Sequence, residues 1–184
     1  ADIHGAWGLA AWAGVLLAAV AYVVVPMFQL TPGYPARLSW WLPVGLFGLP
    51  LVWGGLAWGA PEWVRLVQGL LALVGALFAG WTLRLQRRRR RAKPDTTYRY
   101  WQGGLWCGLV AMVMLLVEAC FPALSEGPAW SIGFGIVLGI GALVSVMTGM
   151  LYKIVPFLTW FHLNNEGQGK GGAPTMNKVL PDRL

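Results

Sequence analysis

His4 and His162 are the only two histidines in this 184-residue chain, and they are its best-suited ligands for a metal or a haem. Imidazole is the commonest metal-ligating side chain and the usual axial ligand of a b-type haem. His4 lies at the entrance of the first long apolar run and His162 at the far end of the last. If those runs cross a membrane, the two rings stand about 30 Å or more apart, the thickness of the hydrocarbon core. They cannot share one haem within a single chain. A bis-histidine haem needs a ligand from another chain, from sequence ahead of Ala1, or from a second His4 across a two-fold axis. For His4 alone two readings are open, a haem ligand or a solvated residue at a helix entrance.

Three other features bear on chemistry. Glu118 falls within an otherwise apolar run, and ionisable residues there face a cavity, pair with a partner or reach the interface. Lys153 closes another such run, where it can extend its ammonium to the head groups or bind an anionic group. Cys107 and Cys120 share one run, and thirteen helical steps separate them by about 20 Å, too far for a disulfide. No CxxC, phosphate-binding loop, nucleophile elbow or hydrolytic carboxylate pair occurs, and the six methionines are scattered. These absences argue for a non-catalytic subunit over a complete enzyme.

The elements that must position these residues are membrane helices. Hydrophobic residues make up 57% of the chain and charged ones 11%, against about a quarter charged in soluble domains. Apolar runs predict an all-α, polytopic transmembrane bundle of five spans: about 6–28, 38–59, 62–86, 101–121 and 130–160. Residues 1–163 form the bundle, and 164–184, rich in Gly, Pro and polar residues, reads as a flexible cytoplasmic tail. The last run exceeds one membrane crossing, so it is expected to tilt, project or bend near Pro156. The net charge of +7 sits beside apolar runs, chiefly in "RLQRRRRRAKPD", so it reads as topology and lipid anchoring and not as nucleic-acid binding. With the arginine block cytoplasmic, the N-terminus lies outside and the C-terminus inside. Asp2, Glu62, Glu126 and Arg65 then fall on the outer side.

Two of the five helices carry recognisable faces. His4 and Tyr22 are eighteen positions apart, about five α-helical turns, which places them on one face with Gly8, Ala11, Val15 and Ala18 as a shallow groove. The fifth run spaces Gly135, Gly139, Gly141, Ser145 and Gly149 so that another backbone, or a flat cofactor, can approach closely. Both runs end in Tyr-x-x-Val-Pro, at 22–26 and 152–156. The reading is a paired exit signal at the inner face, Tyr at the interface and Pro ending or bending the helix.

The segment "DIHGAWGLAAWAGVLLAAVAYVVVPMFQLTPGYP" resembles a little-characterised set of bacterial multi-spanning proteins. That set is similar to subunit I of the haem–copper oxidases and to the haem-containing NnrS membrane proteins. The shared pattern falls on His4, Gly8, Trp12, Tyr22 and Pro26, and "GMLYKIVPFLTWFHL" resembles a second signature. The resemblance covers about a quarter of the chain. It implies a helical bundle in which a His at the outer helix end, here His4, holds haem beside Gly8, Trp12 and Tyr22. The sequence departs from the oxidase pattern at Ala6, where a second His is common, and it lacks the histidine cluster of a copper site.

The expected function is thus an integral subunit of the bacterial inner membrane, a b-type haem, electron-transfer or accessory component of a larger respiratory-type complex. Its partners would be membrane lipid and other membrane chains, or further copies in a homo-oligomer. The alternative is a non-redox structural subunit, and a small-molecule or metal permease ranks third.

Overall fold

Residues 3–90 and 94–166 are described by a computed structural model. Among them the fold is wholly helical. Five helices are long and apolar enough to cross a membrane: α1 (Ile3–Gln29), α2 (Ala36–Gly59), α3 (Pro61–Arg87), α4 (Thr96–Cys120) and α5 (128–166). Their outward surfaces carry Trp12, Trp40, Trp41, Phe47, Ile132 and Ile140, all more than half exposed. Such a surface is at ease in lipid and not in water. The chain is a multi-pass membrane protein.

Local chemistry sets the helix ends. Pro61 opens α3, where its missing N–H costs nothing, Glu62 sits in the first turn, and Arg84 and Arg87 close the last turn in accord with the helix dipole. Helix α4 begins five residues before the predicted 101, because the Asp95 carboxylate caps it by accepting from the Tyr98 N–H at 2.9 Å. Pro43 and Pro50 lie inside α2 without ending it, as membrane helices allow when neighbours hold the distorted turn.

Each helix packs chiefly on the next, so α1 to α5 form an arc, and α1 also reaches α3. The α3–α4 and α4–α5 seams run close because small residues line them. Gly75 faces Met112, Gly104 faces Val146 and the Ala142 carbonyl, and Gly149 faces Tyr100 and Trp101. At the arginine end a polar ladder joins α1 to α3. Gln86 donates to Gln29 at 3.0 Å, and Thr82 donates its proton to the Phe78 carbonyl at 2.8 Å. The Tyr34 hydroxyl therefore donates to Thr82, also at 2.8 Å. The Tyr34 ring meets Tyr22 edge-on, centroids 4.9 Å apart.

Burial pushes the Tyr34 hydroxyl well above the ordinary tyrosine value, and Tyr22 adds to the effect. The unfolded chain releases that proton near pH 10, whereas the folded chain retains it. Stability from this residue is therefore full below about pH 10 and drains away as pH rises further. Unfolding free energies of wild type and Tyr34→Phe should differ by one hydrogen bond, about 0.5–1.5 kcal/mol, at neutral pH. The gap should narrow between pH 10 and 12. A constant gap would remove the assignment.

Helices α1 and α5 depart from α-geometry at matching places. Residues Ala6–Gly14 and Ile136–Val144 are π-helical, nine residues each. Residue 136 follows residue 6 by 130 positions, as Tyr152 follows Tyr22 and Pro156 follows Pro26. The Ser145 hydroxyl bonds back five residues to the Ile140 carbonyl at 3.4 Å, in step with that wider winding. A π-helix turns less per residue than an α-helix, so the expected single face from His4 to Tyr22 does not form. Ala11, Ala18 and Ala21 are buried, whereas His4, Gly8 and Trp12 are exposed.

The prolines also act differently from the expected exit signal. Each removes the N–H that would bond the tyrosine carbonyl four residues earlier, yet α1 continues to Gln29 and α5 to Glu166. Over Pro128–Asn165 helix α5 has 38 residues, about 57 Å of rise, well over the ~30 Å of a hydrocarbon core. The expected tail lies, from residue 167 on, outside the described residues.

Candidate functional site

A cleft of about 670 Å³ runs inside the arc, with α1 and α5 as its facing walls and α2, α3 and α4 behind. That volume falls within the range of small-molecule and cofactor sites. Both π-helical segments line it, through Leu9, Ala10 and Gly14 on one side and Leu138, Ala142 and Leu143 on the other. Long π-helical stretches are rare and concentrate at functional sites, and here the two border a single cavity.

The cleft has a chemical gradient along its length. On α4 it extends from Gly104 to Glu118, and on α5 from Ser131 to Val146, about 21–22 Å of helical rise. Glu118 and Ser131 are the polar side chains in its lining and both sit at the end away from the arginines. Trp53 and Phe134 come next, each six residues inside its helix, about 9 Å from the helix end. Below them Leu46, Leu71, Phe78 and Leu105 provide apolar walls.

The residues singled out from sequence fall in several places. His4 is exposed at the start of α1, beside Gly5 and Ala6, which border the cleft. Gly8 is exposed, and Trp12, 72% exposed, faces away from the bundle. Tyr22 stands at the other end against Tyr34. Glu118 is half-buried and lines the cleft. His162 is exposed on the projecting end of α5.

Lys153 meets Asp95 in an ion pair of 2.9 Å, both side chains largely buried. It therefore turns inward to a protein carboxylate, where sequence left head groups or an anionic ligand open. Cys107 is half-buried and Cys120 exposed, and both are free thiols. The cleft itself and Asp95 were not readable from sequence as sites; for Asp95 the capping run Asp-Thr-Thr-Tyr was the available signal.

Among the described residues no three His, Cys, Asp or Glu side chains group as a metal site, and the cleft lining contains no imidazole or thiolate. A haem lying inside the cleft does not fit. His4, exposed at the start of α1, lies outside the lining of the cleft. Compared with family models, characterised proteins and solved structures, the chain matches none.

Proposed function

We propose that this chain is an integral subunit of an electron-transfer assembly in the bacterial cytoplasmic membrane, with His4 as one axial ligand of a b-type haem shared with a second chain. The arginine end would face the cytoplasm under the positive-inside rule, which puts His4 on the outer side. The observation that supports the reading is the exposure of His4 at the start of α1, next in sequence to Gly5 and Ala6, which line the cleft. An imidazole there can present one nitrogen to iron when the other carries the proton. The haem, when bound, would supply one-electron redox chemistry. This chain's share would be to present the ring from the start of α1.

The visible spectrum of the purified protein, wild type and His4→Ala, tests this. We expect a Soret band in the wild type and a loss of at least about tenfold in haem content in the variant, as for removal of a metal ligand. A colourless wild type after haem supplementation, or an unchanged band in His4→Ala, would sink the reading.

The structural-subunit alternative is favoured by a different observation. Ile132, Ile136, Ile140, Val144, Met147 and Leu151 form an exposed stripe down α5, suited to a neighbouring helix in a complex. On that reading the protein purifies without colour.

A further inference from the structure

The outward side of α2 and α3 carries an assignment independent of His4 and of the cleft. We propose that the seam between these helices holds an anionic phospholipid at the arginine end, its phosphate on Arg37 and Arg84 and an acyl chain over Gly48. The two helices run antiparallel, yet each presents the same layers in the same order from that end. On α2 they are Arg37, Trp41 and Val44, all exposed. On α3 they are Arg84 and Leu77, exposed, with the half-buried Trp81 between them. Steps of three and four residues keep each set on one helix face.

The two faces adjoin at matching depth. A Cβ on Gly45 would stand 3.3 Å from the Val74 side chain, and these positions lie one turn from Trp41 and Leu77 respectively. Counted from that contact, Arg37 is eight residues and Arg84 ten residues toward the same end, about 12 and 15 Å of rise. The hydrogen bond of 2.8 Å between Tyr34 and Thr82 ties the same level together. At Gly48, one turn on from Gly45, a Cβ would meet no atom within 4 Å, so the seam stays open there.

A phospholipid has the same three layers. Guanidinium groups pair with phosphate oxygens through parallel N–H donors, tryptophan settles at the head-group level, and hydrocarbon lies beyond. The Arg84 guanidinium sits 5.6 Å from the centre of the Trp81 ring, which holds its charge beside that middle layer. Charge selects the head group. Residues 29–40 and 77–90 contain six arginines and no Asp or Glu, and Asp95, the next acid along the chain, pairs with Lys153. At the other end of α3, Glu62 and Arg65 balance in sign. A zwitterionic lipid brings its own cation to the arginines and is disfavoured. A free phosphate uses the arginines but neither the tryptophans nor the open seam.

The test is native mass spectrometry of the intact protein from detergent micelles, given equal amounts of dioleoylphosphatidylglycerol and dioleoylphosphatidylcholine. We expect phosphatidylglycerol to be retained in preference by at least about tenfold, and Arg37→Gln and Arg84→Gln each to cut that preference about fivefold. Arg99→Gln removes an arginine that is also exposed at this end but lies on α4, and should change the preference less than about twofold. Gly48→Leu has room to fold and should lower retention of both lipids while leaving the preference between them.

Equal retention of the two lipids overturns the proposal. So does an Arg99→Gln effect as large as that of Arg37→Gln, which would belong to a diffuse field, or normal retention in Gly48→Leu. Displacement of the lipid by an equal concentration of inorganic phosphate would make the site an anion site and not a lipid site. Displacement by a single-stranded oligonucleotide would assign the arginines to nucleic acid.

Discussion

Asp95→Ala is expected to destabilise the folded protein by about 3–5 kcal/mol from the broken ion pair, with about 0.5–2 kcal/mol more from the lost helix cap. One carboxylate does both jobs. Its Oδ1 accepts from the Tyr98 N–H at 2.9 Å, and its Oδ2 lies 2.9 Å from Lys153 Nζ. Asp95 is 8% exposed, so its partner ammonium would be left largely desolvated.

Two further variants separate these contributions. Asp95→Asn keeps the cap, because Asn serves as well as Asp at that position, and loses only the charge. Lys153→Ala keeps the cap and leaves the carboxylate with the Tyr98 N–H. Both should therefore be milder than Asp95→Ala. Reversible unfolding in mixed micelles gives the comparison. An Asp95→Ala loss under about 1 kcal/mol would mean that the pair contributes no more than an exposed one.

The contrast between what was legible in sequence and what was not follows from length scale. Five crossings could be read because about 20 apolar residues in a row have no other stable use. The Asp95 cap was hidden by its setting, directly after the arginine block, where charge reads as loop. The π-helical segments left no mark, since "AWGLAAWAG" and "IVLGIGALV" have the composition of any membrane helix. Their effect is nonetheless large. By unwinding α1 between Ala6 and Gly14 they separate His4 from the face that carries Ala18 and Tyr22, so an argument from α-helical period alone could not place the groove.

Glu118, an ionisable group within an apolar run, left a cavity, a partner or the interface open; in the structure it is half-buried and lines the cleft. The cavity around it is assembled from side chains on all five helices, a long-range property that spacing within one helix does not encode. The Tyr-x-x-Val-Pro pair gained meaning in the same way. Three matching residues carry little weight, but a π-helical segment in the same register stands ahead of each, in α1 and in α5.

The second large effect is expected at the α4–α5 seam. Trp101 is fully buried, and Gly149 lies against it so tightly that an added Cβ would stand 3.1 Å from its Cδ1, 2.9 Å from Tyr100 Cβ and 3.2 Å from the Thr97 carbonyl. Trp101→Ala should cost about 3 kcal/mol, the lower end for large core aromatics. Lipid is as apolar as the seam, so the loss is of packing and not of transfer from water. Its indole N–H has no hydrogen-bond partner among the described residues, so no hydrogen bond is forfeited.

Gly149→Ala should cost about 1–3 kcal/mol by overpacking. The double variant decides whether the seam behaves as one unit. Removing the indole relieves one of the three close approaches and leaves Tyr100 and Thr97, so the pair should couple by at least about 0.5 kcal/mol, with the double variant less unstable than the sum. Strict additivity would place the Gly149 strain on the Tyr100 Cβ and the Thr97 carbonyl, and Trp101 would then contribute only as filled volume.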